Sequence, residues 1–363
     1  MQFTWQIPTR IIMEEDAVRA HAEEMLALGK KALILCTPSG KKNGALDDAV
    51  TACQKLGIAY TVSFDVEVNP TLPAIQRVCA AVHEDHPDFM IAIGGGSALD
   101  SAKAVAILLA NPRMPAEDIF LLQYDHAPLP LVAIPTTCGT GSEVTAVSVL
   151  TDGEGKRSVC TPQIFSKIAF LDAKYLESLP VRILKDTVVD ALCHAAEGYL
   201  AFDYPVSDML ACEFFRCLGA CKEALLTEHC TPQDHKTLLY ASMIAGLSIA
   251  VTGTVAVHTM SYPLTVLRGY AHGRACGVLL AEYARLCAPV RLEKIQTMLG
   301  LIGEKSIDGL KELLSILLGQ NESFTDAEIE HFVSVCGKAA MAKKNPVPLN
   351  REMLIKLYQA SLQ

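Results

Sequence analysis

The segment FMIAIGGGSALDSAKAVAILLA, residues 89–110, joins five apolar residues, three glycines and a helix-type run. Phe89 to Ile93 is apolar at every position, so both faces of that strand are expected to be covered, as in a parallel sheet between helices. Gly94, Gly95 and Gly96 let a backbone approach closely, and the helix that follows offers free N–H groups at its start. Ser97 and Asp100 are spaced as a capping box. A phosphate-binding turn and a plain strand-to-helix connection both take this form, and the glycine spacing is not GxGxxG.

The pattern repeats on either side. Strand-type runs KALILC (31–36), AYTVSF (59–64) and LPLVAIP (129–135) alternate with helix-type runs ALDDAVTACQKL and TLPAIQRVCAAVHE. This alternation predicts an α/β fold with an open, mainly parallel sheet. A second glycine-rich loop, PTTCGTGSE (135–143), follows the last of these strands at its carboxyl end, where open sheets bind ligands. Thr136, Thr137 and Thr140 there could hold nicotinamide, ribose or phosphate, although a long connection is also rich in turn formers. The stretch 145–172, with the turn TDGEGK, is expected to be a hairpin or an irregular connection.

Beyond LESLP (176–180) the strand signal fades and helical patterns follow near 183–202, 206–227, 234–251, 273–287, 306–319, 325–342 and 350–362. Two domains are expected, an α/β dinucleotide-binding domain over 1–180 and an all-α metal-binding domain over 181–363, with a ligand cleft between them.

In VVDALCHAAEGY (188–199), Asp190 and His194 stand four apart, on one face of a helix. His258 and His272 are fourteen apart, so a bend could bring the second back to the first. A carboxylate with imidazoles is a common divalent-metal set, while an Asp and a His one turn apart can also simply bond to each other. With the glycine-rich turns, these residues argue for metal-assisted hydride transfer.

A formal charge of −9 with scattered Lys and Arg excludes a broad basic surface for nucleic acid, leaving a small molecule as the expected partner. The 13 Cys are dispersed through apolar segments without a CxxC pair, and read as reduced thiols. The N-terminus carries no basic flank with an apolar core, and no uninterrupted apolar run reaches about eighteen residues. A soluble cytoplasmic protein, not bound to a membrane, is expected.

IGGGSALDSAK (93–103), PTTCGTGSEVT (135–145), DALCHAAEGY (190–199), His258 and His272 within AHG resemble the iron-containing, group III alcohol dehydrogenases. The likeness runs in order from PTRII (8–12) to KKNPVPLNREML (343–354). It implies the iron alcohol dehydrogenase, or dehydroquinate synthase-like, fold and a small alcohol or aldehyde as substrate. The implied metal ligands are Asp190, His194, His258 and His272. The implied cofactor contacts are Asn69, Gly95, Gly96, Ser97, Asp100, Thr136, Thr137, Thr140, Thr145 and Arg157, the last where a Lys is more usual. Fe2+ is favoured, because four protein ligands leave iron but not tetrahedral zinc an open position; Zn2+ is the alternative. A homo-oligomer is implied as well.

Three departures stand out. The family often reads HxxxH around the third ligand, whereas here the second His is replaced by Tyr262, a proton donor with a much higher unperturbed pKa. The approach TGLDA is altered to Thr187-Val188-Val189-Asp190. After KALILC the chain offers no acid for a ribose 2′-hydroxyl; Thr37 to Gly44 resembles the SxKKxG loop of the NADPH-using butanol dehydrogenase and aldehyde reductase branch, with Pro38 where that branch usually has Gly. Ser39, Lys41 and Lys42 therefore predict NADP(H) over NAD(H), unless the lysines form only a solvated turn. In the implied reaction the metal polarises an aldehyde, nicotinamide C4 delivers hydride, and water, the ribose hydroxyls or Tyr262 supplies the proton. The alternative is a lyase-cyclase of the dehydroquinate synthase type using NAD transiently. Such enzymes need a cationic pocket, and only Arg268 and Arg274 lie near the proposed ligands in sequence.

Overall fold

The computed structural model describes residues 4–319 and 322–362. It divides into an α/β unit, Gln6–Thr137 with Gly141–Leu179, and a helical unit made of Cys138–Thr140 and the described residues from Pro180 onward, with Thr4 and Trp5.

The α/β unit contains strands β1 (Arg10–Met13), β2 (Lys31–Cys36), β3 (Ala59–Ser63), β4 (Phe89–Gly94), β5 (Leu131–Pro135), β6 (Val147–Asp152), β7 (Gly155–Cys160) and β8 (Ile168–Leu171). Six of them form one parallel sheet in the order β1-β8-β5-β4-β2-β3. Every residue of β4 and β5 is buried, as strands covered on both faces require. β2 pairs with β3 on one side and β4 on the other, so the chain leaves β2 in one direction and returns in the opposite one. The carboxyl ends of β2 and β4 therefore flank a topological switch point, where open α/β sheets bind ligands.

The stretch 145–172 resolves into two parts. β6 and β7 form an antiparallel hairpin, while β8 returns to the main sheet between β1 and β5. Sequence reading identified neither β1 nor β8, whose four residues are too few to show a period.

The expected capping box is not formed. Helix Gly96–Ala110 begins after Gly95 with no side-chain cap, so Ser97 already lies inside the first turn. Thr37 to Gly44 is not a plain loop either: Pro38–Lys42 is a short helix, capped by the Thr37 hydroxyl accepting from Gly40 N at 3.3 Å.

The helical unit consists of helices Val181–Ala201, Pro205–Thr227, Pro232–Thr252, Ala256–Arg268, His272–Ile302, Ile307–Leu318, Asp326–Ala342 and Arg351–Leu362. Two start with capping boxes, Thr231 with Asp234 and Thr325 with Glu328. The span His272–Ile302 is two helices joined at a kink, where Arg291 takes non-helical angles just after Pro289, so the first of them breaks close to the expected end near 287. Helix Ala256–Arg268 had no counterpart among the expected helices, since Pro263 and the small polar residues around it weaken the pattern. It ends at Gly269, whose φ of 68° is the left-handed conformation that reverses the chain toward His272. No single helix among the described residues is long and apolar enough to cross a membrane.

Candidate functional site

In the α/β unit, chemistry-bearing residues collect beyond the carboxyl ends of β2 and β4. Gly94 has a φ of 153°, and a Cβ there would lie 2.7 Å from Ala98 Cβ and 2.8 Å from Thr37 Cγ2. A side chain at Gly95 would press on Thr137 Oγ1 at 3.0 Å. The glycines thus bring the Gly-rich turn, Thr37 and Thr137 together, with the short Pro38–Lys42 helix beside them. Thr37 N donates to Ile93 O at 3.0 Å, and Thr136 N to Gly94 O at 3.0 Å.

Asn69 is a node among distant segments. Its backbone is left-handed, with φ 55°. Asn69 N donates to Ser97 Oγ at 3.2 Å, while Asn69 O accepts from Thr151 Oγ1 at 2.9 Å and Oδ1 accepts from Lys156 Nζ at 2.9 Å. The cation beside Asn69 is therefore Lys156. Arg157 instead pairs with Asp152 at 3.6 Å and lies 3.9 Å over the Phe120 ring. Successive residues of β7 point to opposite faces, so a reading that places Arg157 in the coenzyme cluster is one residue out of register.

Asp100 also plays a different part from the one expected. It accepts from Ser142 Oγ at 2.7 Å and from Val149 N at 2.9 Å, so both carboxylate oxygens are engaged by the protein. Lys103, wholly buried, donates to Ser142 O and Oγ at 2.7 Å and to Val147 O at 2.8 Å, with Thr145 Oγ1 at 3.4 Å. Burial lowers the Lys103 ammonium to about 8 against the opposing pull of Asp100 and Glu143. This brace shapes the 142–147 loop, and sequence reading passed over Lys103 although it stands one helical turn from Asp100. Thr140 belongs to the helical unit with Cys138 and Gly139.

In the helical unit, Asp190 and His194 lie midway along Val181–Ala201, His258 in the first turn of Ala256–Arg268, and His272 at the start of the next helix. Gly273 explains the last placement, because a Cβ there would collide with the Asp186 carbonyl and come within 3.0 Å of Asp190 Cβ. Only glycine lets the two helices approach this closely. Asp190 Oδ1 lies 3.7 Å from His258 Nε2 and 3.7 Å from His272 Nε2. Asp190 Oδ1 and His258 Nε2 are buried and carry no hydrogen bond, a costly arrangement unless something polar sits between them.

His194 stacks on His258 with ring centroids 4.4 Å apart, and its Nδ1 lies 3.3 Å from Gly139 O. Burial lowers its pKa to about 4, which keeps the imidazole neutral as a metal donor must be. It stands outside the tight group of donors, which is Asp190, His258, His272 and Cys276, all within 4.8 Å of one another. Burial opposes charge on Asp190, yet the three neighbouring imidazoles outweigh it and hold the carboxyl well below its usual range.

Two residues of this site were not recognised from sequence. Glu197, fully buried, accepts from Val257 N at 2.5 Å through Oε1 and from His258 Nδ1 through Oε2. It serves both as the anion at a helix N-terminus and as the partner that fixes the His258 ring. Its signal was its place three residues after His194, on the same helix face. Cys276 stands four after His272 and was masked by the number of other buried thiols.

Tyr262 is half-buried, with its ring centroid 6.3 Å from that of His272. Burial pushes its phenol up to about 12. The two nearby cations are already committed: Arg268 to Glu322 and Glu328, and Arg274 to the Leu318 carbonyl.

Comparison with known proteins accounts for both halves. The family model for iron-containing alcohol dehydrogenase matches residues 8–173, and that for the C-terminal region of the Fe-containing alcohol dehydrogenase family matches 185–362. The chain is 32% identical over 285 residues to long-chain-alcohol dehydrogenase 1 of Geobacillus thermodenitrificans, covering 76% of this chain and 72% of the relative. A crystal structure of an iron-containing alcohol dehydrogenase superposes with a TM-score of 0.93 at 34% identity, over 100% of this chain and 99% of that one. The sulfoacetaldehyde reductase of Bifidobacterium kashiwanohense, solved in complex with NAD+, has a TM-score of 0.88 at 26% identity, over 100% and 99%. These likenesses favour the dehydrogenase over the lyase-cyclase alternative. The chain belongs to the iron-containing alcohol dehydrogenase family and is a metal-dependent oxidoreductase of alcohols and aldehydes that uses a nicotinamide coenzyme.

Proposed function

We propose that this enzyme reduces a small aldehyde with NADPH at a divalent metal centre held by Asp190, His194, His258 and His272. The observation that carries the metal reading is the pair of buried polar atoms without a hydrogen bond, Asp190 Oδ1 and His258 Nε2, which face each other at 3.7 Å, with His272 Nε2 also 3.7 Å from the carboxylate. The donor chemistry fits a divalent ion. When bound, the metal supplies Lewis acidity toward a carbonyl oxygen and the nicotinamide supplies the hydride.

The chain's own groups do the rest. Glu197 holds Nδ1 of His258 and so leaves Nε2 as its donor. The Gly94–Gly96 turn, Thr136, Thr137 and Asn69 hold the coenzyme, with Ser97, Asp100, Lys103 and Thr145 bracing them. Ser39, Lys41 and Lys42 supply the positive charge and donors that a 2′-phosphate needs, at the switch-point end of β2. Tyr262 shapes the pocket beside His272 and donates its hydroxyl proton as a hydrogen bond. A cytoplasmic setting is supported by thirteen free cysteines, and a homo-oligomer by the family resemblance. The acidic net charge supports a small-molecule partner in preference to nucleic acid.

The test is an initial-rate survey of short aldehydes with NADPH and with NADH, after reconstitution with iron or zinc. A clear preference for NADPH and strict dependence on metal is the expected result; equal use of both coenzymes would remove the coenzyme assignment.

A further inference from the structure

Cys276 lies one helical turn beyond His272, on the face that carries the metal donors. Its Sγ is 3.9 Å from His272 Nε2, and it falls within the 4.8 Å group formed with Asp190 and His258. A metal bound at about 2.0–2.3 Å by N, O and S donors has neighbouring donors roughly 2.8–4.0 Å apart when four- or five-coordinate. The spacings of 3.7, 3.7 and 3.9 Å fall in the upper part of that range. Independently of the cysteine, Asp190 Oδ1 and His258 Nε2 are buried without a hydrogen bond, which marks the space among these side chains as one that takes a ligand. Cys276 is itself buried.

Resting on the metal site proposed above, we propose that Cys276 is a direct ligand of the same ion, adding one sulfur donor to the carboxylate and imidazoles. As the sulfur–metal bond forms, the S–H bond breaks and its proton passes to solvent; no electrons are transferred. A thiolate is a soft donor, and it draws the preference of the centre toward zinc and away from ferrous iron. The sulfur also gives the centre a spectroscopic signature that carboxylate and imidazole cannot produce.

The test uses the full-length protein loaded with one zinc or one cobalt per chain. X-ray absorption of the zinc form should show a sulfur shell at about 2.3 Å beside nitrogen and oxygen at about 2.0–2.1 Å. The cobalt form should show a near-ultraviolet sulfur-to-metal band that is absent from Cys276→Ser and Cys276→Ala and kept by Cys160→Ser, which changes an exposed thiol. Zinc affinity in Cys276→Ser should fall by more than the roughly 10–100-fold that loss of an outer partner costs. A wild-type spectrum with only nitrogen and oxygen neighbours overturns the thiolate and leaves the Asp–His site standing. Retention of full metal stoichiometry by His272→Ala overturns both. If the Cys276 variants fail to fold, the wild-type sulfur shell still decides.

Discussion

Glu197 grips His258 twice, through the backbone N–H at 3.4 Å and through Nδ1 of the ring, while the same Oε1 takes the N–H of Val257. One carboxylate thus ends a helix and aims an imidazole. Glu197→Gln should keep much of the helix cap but lose the anionic partner of the ring, lowering metal affinity about 10–100-fold. Glu197→Ala also strands buried N–H groups, each costing about 1–3 kcal/mol, and should lower Tm clearly. Chelator competition and calorimetry measure the two effects; unchanged affinity in both variants would show that Glu197 does not orient the ligand.

His272→Ala should abolish turnover and remove bound metal while circular dichroism stays near that of the parent. A purified variant with full metal content and rate would refute the ligand assignment.

Lys41→Ala combined with Lys42→Ala should raise KM for NADPH at least tenfold while KM for NADH moves little, since only the former carries a 2′-phosphate. Parallel changes for both coenzymes would show that the lysines form only a solvated turn.

Lys103→Met keeps the length of the side chain but removes the donors to Ser142 O and Val147 O. Breaking such a buried polar network should cost about 3–5 kcal/mol, lower Tm, and raise KM for the coenzyme more than it lowers kcat. A variant with parental Tm would show that the 142–147 loop does not depend on this brace.

The ring of Tyr262 lies beside His272, and burial raises its phenol to about 12, so the hydroxyl stays protonated from pH 5 to 10. No limb of the wild-type pH–rate profile in that range should come from it. Tyr262→His should introduce a limb near pH 6–7, about the free imidazole value, and Tyr262→Ala should widen substrate acceptance. Identical profiles and substrate rankings across these variants would place Tyr262 outside the pocket.

Much of the fold was legible because its strands are strongly marked. β2, β4 and β5 are apolar runs bounded by turn residues, and the helix at 45–56 was readable to the residue. β1 and β8 were not, because four residues show no period and their place depends on partners far along the chain. Helix Ala256–Arg268 was not legible either, since it carries Pro263 in its interior, whereas the helix expected to end near 287 does break close by, at Arg291. At the site, the i, i+4 placement of Asp190 and His194 on one helix was legible from spacing, whereas the contacts of Glu197 and Cys276 depend on helices that meet in three dimensions. The exchange of Lys156 for Arg157 has another cause, since strand alternation decides which cation meets Asn69, and spacing from a distant motif does not reveal it.

Asp190, His258 and His272 come from three different helices, and Gly273 lets two of them touch. An ion held by all three, as proposed, would be a fastener as well as a reagent, since binding energy spent on the folded form alone adds to its stability. Loss of the ion would then loosen the helices that shape the pocket, so inactivation by chelation should become harder to reverse the longer the protein stands empty.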